Sequence, residues 1–204
     1  MKVLGRKDSI NVMKVLWACE ELDLPCERVD VGGRFAFENE PDYLRLNPNG
    51  RVPTIDDDGF VLWESNAILR YLASTYGGGR LLSEGKARWI GEQWMDWQQT
   101  TLLPDMRTVF WSFVRASERT HDRAQIDAAV SNLKVSWARL DQHLRGRQFV
   151  AGDRLTMGDI PVGAACYRYH ALDIDRGPLE HVRAWYERLQ SRDAFRQHVM
   201  IPLE

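Results

Sequence analysis

The sequence predicts an α/β domain of order βαβαββα followed by an all-helical domain, and three observations carry that reading. Short strand-like runs alternate with helical spacings over the first third of the chain. A glycine run, Gly77-Gly78-Gly79, closes the last of those helices. Beyond it, apolar residues recur only at steps of three and four.

Lys2 to Gly5 reads as a strand, and Asn11 to Leu24 as a helix with Val12, Val15, Leu16, Cys19 and Leu22 on its apolar face. Glu27 to Val31 reads as a second strand and Pro41 to Leu46 as a short helix with proline in its first turn. Val52 to Ile55 and Phe60 to Trp63 form an antiparallel hairpin around Asp58-Gly59. Asn66 to Tyr76 returns to helix, with Ala67, Ile68, Tyr71, Leu72 and Thr75 on one side. That element order matches a thioredoxin-like domain. We place it at residues 1–79 and the helical domain at residues 86–204.

In the second part, Ile126, Val130, Leu133, Trp137, Leu140 and Leu144 form a sustained packing stripe. Lys86 to Ala116 reads as its antiparallel neighbour, kinked at Pro104. Thr156-Met157-Gly158-Asp159 is a capping box flanked by Leu155 and Ile160, with Pro161 awkwardly placed one turn in. A last helix opens near Pro178.

Composition narrows the function classes. With 204 residues and 44% hydrophobic content the chain can bury two cores, and a formal net charge of -2 without a basic patch argues against nucleic acid. No apolar run approaches the roughly 20 residues that span a bilayer. Cys19, Cys26 and Cys166 show no CxxC spacing, and the five histidines show no ligand spacing, so the sequence predicts a cytoplasmic protein without a metal site or disulfide framework. Asp56-Asp57-Asp58 reads as a solvated turn in preference to a cation site.

The chemistry concentrates in three places. Between the first strand and the first helix stands Ser9-Ile10-Asn11-Val12, where helix-terminal N–H groups favour an anion such as a thiolate. With no cysteine in that turn, the thiol must come from a ligand. The Ser9 hydroxyl or the Asn11 amide can donate to it, although either residue could instead cap the helix. Asn47-Pro48-Asn49-Gly50-Arg51-Val52-Pro53 offers a Val-Pro bond at a strand start, suspected to be cis, whose Val52 backbone could pair with an extended peptide. Arg51 supplies a cation for a carboxylate. Trp63-Glu64-Ser65-Asn66 passes from strand to helix, so that Ser65 can receive a carboxylate and Glu64 an ammonium. Together these describe a site for a small anionic peptide with a central thiol, which is what glutathione is.

These motifs, with Leu155 to Ile160 after them, resemble those of the cytosolic glutathione S-transferase superfamily, in particular its serine-type bacterial members, over the whole chain. The resemblance implies a glutathione transferase, in which bound glutathione attacks a small, largely apolar electrophile, and a homodimer. It puts Ser9, or alternatively Asn11, on the glutathione sulfur and Val52 with Pro53 on the cysteinyl backbone. Glu64 and Ser65 fall on the γ-glutamyl end and Arg51 near the glycyl end. Glu38-Asn39-Glu40 stands where some relatives carry His and Lys, which leaves the glycyl contact open. Phe110, Trp111 and Tyr167 are candidates to line the second pocket, or plain core aromatics. Glutathione-dependent disulfide reduction and a non-enzymatic binding role are the alternatives.

Overall fold

The computed structural model describes residues 1–35, 39–114 and 122–203. They fall into two compact units, residues 1–82 with 194–201, and residues 83–193 with 202–204. No described helix is long and apolar enough to cross a membrane.

The first unit is built on a sheet of four strands, β1 (Lys2–Leu4), β2 (Glu27–Val29), β3 (Thr54–Asp57) and β4 (Phe60–Trp63), in the order β2-β1-β3-β4. β1 pairs parallel with β2 and antiparallel with β3, and β3 with β4 makes the expected hairpin. Its two turn residues, Asp58 and Gly59, both have positive φ, at 52° and 91°, as a twisted two-residue hairpin requires. Three helices accompany the sheet, α1 (Ile10–Glu21), α2 (Pro41–Leu46) and α3 (Ser65–Thr75). Val3, Val12, Val15, Ile55, Ile68 and Leu72 are completely buried between them.

The acidic run is structural. One Asp57 carboxylate oxygen accepts hydrogen bonds from the hydroxyls of Tyr71 (2.6 Å) and Tyr76, tying α3 to the hairpin, and Asp56 accepts from the Gly59 N–H at 2.8 Å. These bonds hold the Asp57 carboxyl below its ordinary value.

Past the glycine run the chain stays with the first unit for several residues. The Arg80 guanidinium donates to the carbonyls of Glu21 and Leu22 at the end of α1, at 3.3 and 2.6 Å, and pairs with Asp23. Those carbonyls have no partner within the helix, so a cation is the natural cap. From Ala194 on, the final helix α9 (Asp193–His198) also clusters with this unit, and Phe195 meets Trp17 edge to face at 4.8 Å.

The second unit is helical. The helix expected over 86–116 is described as far as Val114; Arg115 and Ala116 lie outside the described residues, as do Glu38 and His121. It is divided into α4 (Gly85–Trp97), one π-helical turn (Gln98–Leu102) and α5 (Leu103–Phe113). The irregularity therefore precedes Pro104 instead of centring on it. Proline has no N–H for the carbonyl four residues back and its ring crowds that carbonyl, so the wider turn sets Pro104 in the first turn of a new helix.

Three further helices follow, α6 (Arg123–Leu144), α7 (Asp159–His170) and α8 (Glu180–Gln190). Leu133, Trp137, Leu140 and Leu144 are buried on α6 as the stripe predicts, while Ile126 lies at intermediate exposure. The capping box forms with its helix starting at Asp159, so Pro161 falls in the first turn, where its missing N–H would have had no helical partner anyway. Its placement carries no penalty there.

Asp159 is completely buried and accepts four hydrogen bonds, from the N–H groups of Val150 and Thr156 at 2.9 Å each, the Thr156 hydroxyl at 3.0 Å and the Trp185 indole at 3.0 Å. One carboxylate thus joins the loop before α7 to α8. Next to it α4 and α7 meet with almost no side chain between them: a Cβ on Gly158 would lie 2.7 Å from both the Cα and the carbonyl oxygen of Gly91.

Candidate functional site

Three segments far apart in sequence converge beyond the C-terminal end of β1. The turn from β1 to α1 is held by the N–H groups of Gly5 and Arg6, which donate to Val29 and Val31 at 2.8 Å each. Gly5 is obligatory, because a Cβ there would stand 2.4 Å from Val12 Cγ2 and 3.2 Å from Val52 Cβ. The close approach puts the start of α1 against the loop carrying Val52.

Ser9 is the N-cap of α1 and 8% exposed, yet its hydroxyl makes no cap hydrogen bond; only its carbonyl enters the helix, accepting from Met13 at 2.9 Å. A serine at this position ordinarily spends its oxygen on a backbone N–H. Here the hydroxyl and the first-turn N–H groups of a twelve-residue helix remain for another acceptor, and the helix dipole favours an anion. Beside it Arg6 pairs with Asp8 at 3.3 Å, a cation in this turn that no sequence motif singles out.

Asn11 faces a different group. Its side-chain carbonyl accepts from the Ser65 hydroxyl at 3.3 Å, which turns its amide N–H groups to other acceptors. Ser65 is 4% exposed and opens α3, so the N-termini of α1 and α3 meet at this bond. The preceding Glu64 is exposed and has φ 71°, a left-handed conformation that costs a non-glycine residue on the order of 1 kcal/mol.

The Val52-Pro53 bond is cis. The loop before it is fastened through the Arg51 carbonyl, which accepts from the Tyr43 hydroxyl at 2.6 Å and the Asn47 amide at 2.7 Å. Val52 packs its side chain against Leu4, Val31 and Tyr43. Neither its N–H nor its C=O is hydrogen-bonded by a described residue, which leaves one strand-like pair of groups for a peptide ligand. The Arg51 side chain is exposed. Ser9, Asn11, Val52, Pro53, Glu64 and Ser65 thus belong to one neighbourhood of the first unit.

The three aromatic candidates of the helical unit differ among themselves. Phe110 is 2% exposed, with the Arg168 guanidinium 4.5 Å from its ring centroid, so it is a core residue of that unit. Trp111 and Tyr167 are half-buried, and burial pushes the Tyr167 hydroxyl up. Among the described residues no group of three or more His, Cys, Asp and Glu side chains could hold a metal ion.

Two family descriptions match the chain: "Glutathione S-transferase, N-terminal domain" over residues 1–74 and "Glutathione S-transferase, C-terminal domain" over residues 123–188. Glutathione S-transferase GstB of Escherichia coli K12 is 39% identical over 202 residues, covering 98% of this chain and 97% of the relative. Among solved structures, the theta class glutathione S-transferase of Xanthomonas axonopodis pv. citri with glutathione bound superposes with a TM-score of 0.93 at 41% identity, over 100% of this chain and 98% of that one. Glutathione transferase F7 of Populus trichocarpa superposes with a TM-score of 0.87 at 25% identity, over 98% and 97% of the two chains.

Proposed function

The chain belongs to the glutathione S-transferase family, and from that premise we propose that Ser9 activates the thiol of bound glutathione for attack on a small, largely apolar electrophile. The observation that carries this assignment is the Ser9 hydroxyl, placed at the N-terminus of α1 and unused as a cap. Asn11, committed through its carbonyl to Ser65, takes a supporting place beside the sulfur.

The magnitudes suffice. Lowering a thiol from its ordinary pKa near 8.5 by two units takes about 2.7 kcal/mol. A hydrogen bond to a charged sulfur supplies about 1.5–3 kcal/mol and a helix N-terminus about 0.3–1 more. No general base is needed. The thiolate then forms a sulfur–carbon bond to the electrophile, whose leaving group departs with the electrons of the broken bond.

In the same reading, the backbone of Val52, before Pro53, pairs with the cysteinyl residue of glutathione. Ser65 and the N-terminus of α3 receive the γ-glutamyl carboxylate, Glu64 its ammonium and Arg51 the glycyl carboxylate. Residues 1–79, joined by α9, form the glutathione-binding domain, and the helical domain, which begins at residue 86, holds Trp111 and Tyr167, which, ahead of the buried Phe110, face the second substrate. A homodimer and a cytoplasmic setting complete the proposal, tested by light scattering at micromolar concentration and by cell fractionation.

The test is a pH titration of thiolate ultraviolet absorbance for glutathione with the protein, against free glutathione. A lowered thiol pKa on binding is expected. Absence of both binding and thiolate signal would overturn the reading.

A further inference from the structure

Outside this site the first unit holds a second concentration of sulfur chemistry. Cys19 lies near the C-terminal end of α1, 1% exposed, and Cys26 lies just before β2, half-buried. The helix closes between them, with the N–H groups of Leu22 and Leu24 both donating to the Cys19 carbonyl, and that reversal brings the two thiols within hydrogen-bonding reach. Cys26 also lines a solvent-open cavity of about 540 Å³, together with Met1, Lys2, Pro25, Asp56 and Asp58. Cys166 is buried in the other unit.

We propose that Cys19 and Cys26 form a redox-active thiol pair, in which Cys26 is oxidised by a hydroperoxide entering from the cavity and Cys19 resolves it to an intramolecular disulfide. A buried thiol hydrogen-bonded to one that faces a cavity is the arrangement such a step needs.

The two thiols are also unequal. The hydrogen bond between them lowers the Cys26 thiol and, together with burial, holds Cys19 well above the ordinary thiol value. Cys26, the sulfur that faces the cavity, is the nucleophile, and the buried Cys19 follows it. Its thiolate attacks one peroxide oxygen, the O–O bond breaks, and the leaving alkoxide takes up a proton to depart as an alcohol. Cys26 is left as a sulfenic acid. The Cys19 sulfur, giving up its proton, then attacks the Cys26 sulfur; the S–O bond breaks and water leaves. In sum, two thiols and one hydroperoxide give a disulfide, an alcohol and water, with two electrons passing from sulfur to oxygen.

The pair stands ten residues along α1 from Ser9, roughly 15 Å at a helical rise of 1.5 Å per residue, so its chemistry can be read apart from glutathione activation. The test treats the full chain with tert-butyl hydroperoxide, blocks free thiols, and digests it under non-reducing conditions with trypsin and a glutamyl endopeptidase that cuts at Glu20 and Glu21, between the two cysteines. A Cys19–Cys26 crosslink with the loss of two hydrogens, reversed by dithiothreitol and absent in Cys26→Ser, is expected. In Cys19→Ser, or Cys19→Ala should the serine variant fail to fold, dimedone should trap Cys26 as the sulfenic acid. Recovery of Cys19 as a free thiol beside oxidised Cys26 in the unsubstituted protein would overturn the proposal. A crosslink only between two chains, or oxidation of Cys166 ahead of Cys26, would overturn it equally.

Discussion

The Ser65 hydroxyl donates to the side-chain carbonyl of Asn11 across 3.3 Å, joining the first turns of α1 and α3 through residues 54 positions apart. That bond commits the carbonyl end of the Asn11 amide to Ser65. The N-terminal end of α1 thus carries a Ser9 hydroxyl without a cap bond and an Asn11 amide positioned by Ser65.

Ser9→Ala should lower kcat/KM for conjugation by about 10- to 100-fold, the equivalent of losing one hydrogen bond to a charged sulfur. Glutathione affinity should change little, because the proposed site distributes binding over Val52, Glu64, Ser65 and Arg51. Steady-state kinetics together with calorimetric titration separate the two effects. Unchanged kinetics would move sulfur activation to Asn11.

Ser65→Ala should raise the Kd for glutathione by about tenfold, again one hydrogen bond to a charged group. It also frees the Asn11 carbonyl, which lies at intermediate exposure and can recruit water, so the fold should lose less than about 1 kcal/mol. Calorimetric titration and thermal unfolding of the variant check both. An unaltered affinity would remove Ser65 from the γ-glutamyl contact.

Gly158 and Gly91 face each other, yet substitution should affect them unequally. A Cβ on Gly158 meets Gly91 backbone atoms at 2.7 Å, which cannot rotate away, so Gly158→Ala should cost about 1–3 kcal/mol. A Cβ on Gly91 meets its nearest neighbour, Thr156 Oγ1, at an ordinary 3.5 Å within a helix, so Gly91→Ala should be neutral or stabilising by up to about 1 kcal/mol. Equal Tm shifts for the two would contradict this packing.

Burial pushes the Asp159 carboxyl from 3.8 up to about 6, outweighing the four hydrogen bonds that pull it down. Between those two pH values the folded chain keeps a proton that the unfolded chain has released. Stability contributed by this residue therefore falls as pH rises from about 4 to about 6, by roughly 3 kcal/mol for two units, and is level above. The difference in unfolding free energy between the unsubstituted protein and Asp159→Asn, measured by urea denaturation across pH 4 to 7, should decrease over that window. A difference that grows with pH would show the hydrogen bonds to prevail.

The sequence carries the order of elements, the Asp58-Gly59 hairpin, the capping box and the motifs of the site, because each is written in residues a few positions apart. Alternation, helical spacing and turn chemistry are local properties of the chain. It misplaced the irregularity at Pro104, since a lone proline does not reveal whether a helix kinks at it or restarts before it. Tertiary packing alone sets other features: the bond of Ser65 to Asn11, the contact of Gly91 with Gly158, and the capping of α1 by Arg80. Each depends on where two segments come to rest against one another. Packing and hydrogen-bond satisfaction set those positions across the folded unit, and no spacing within one segment encodes them.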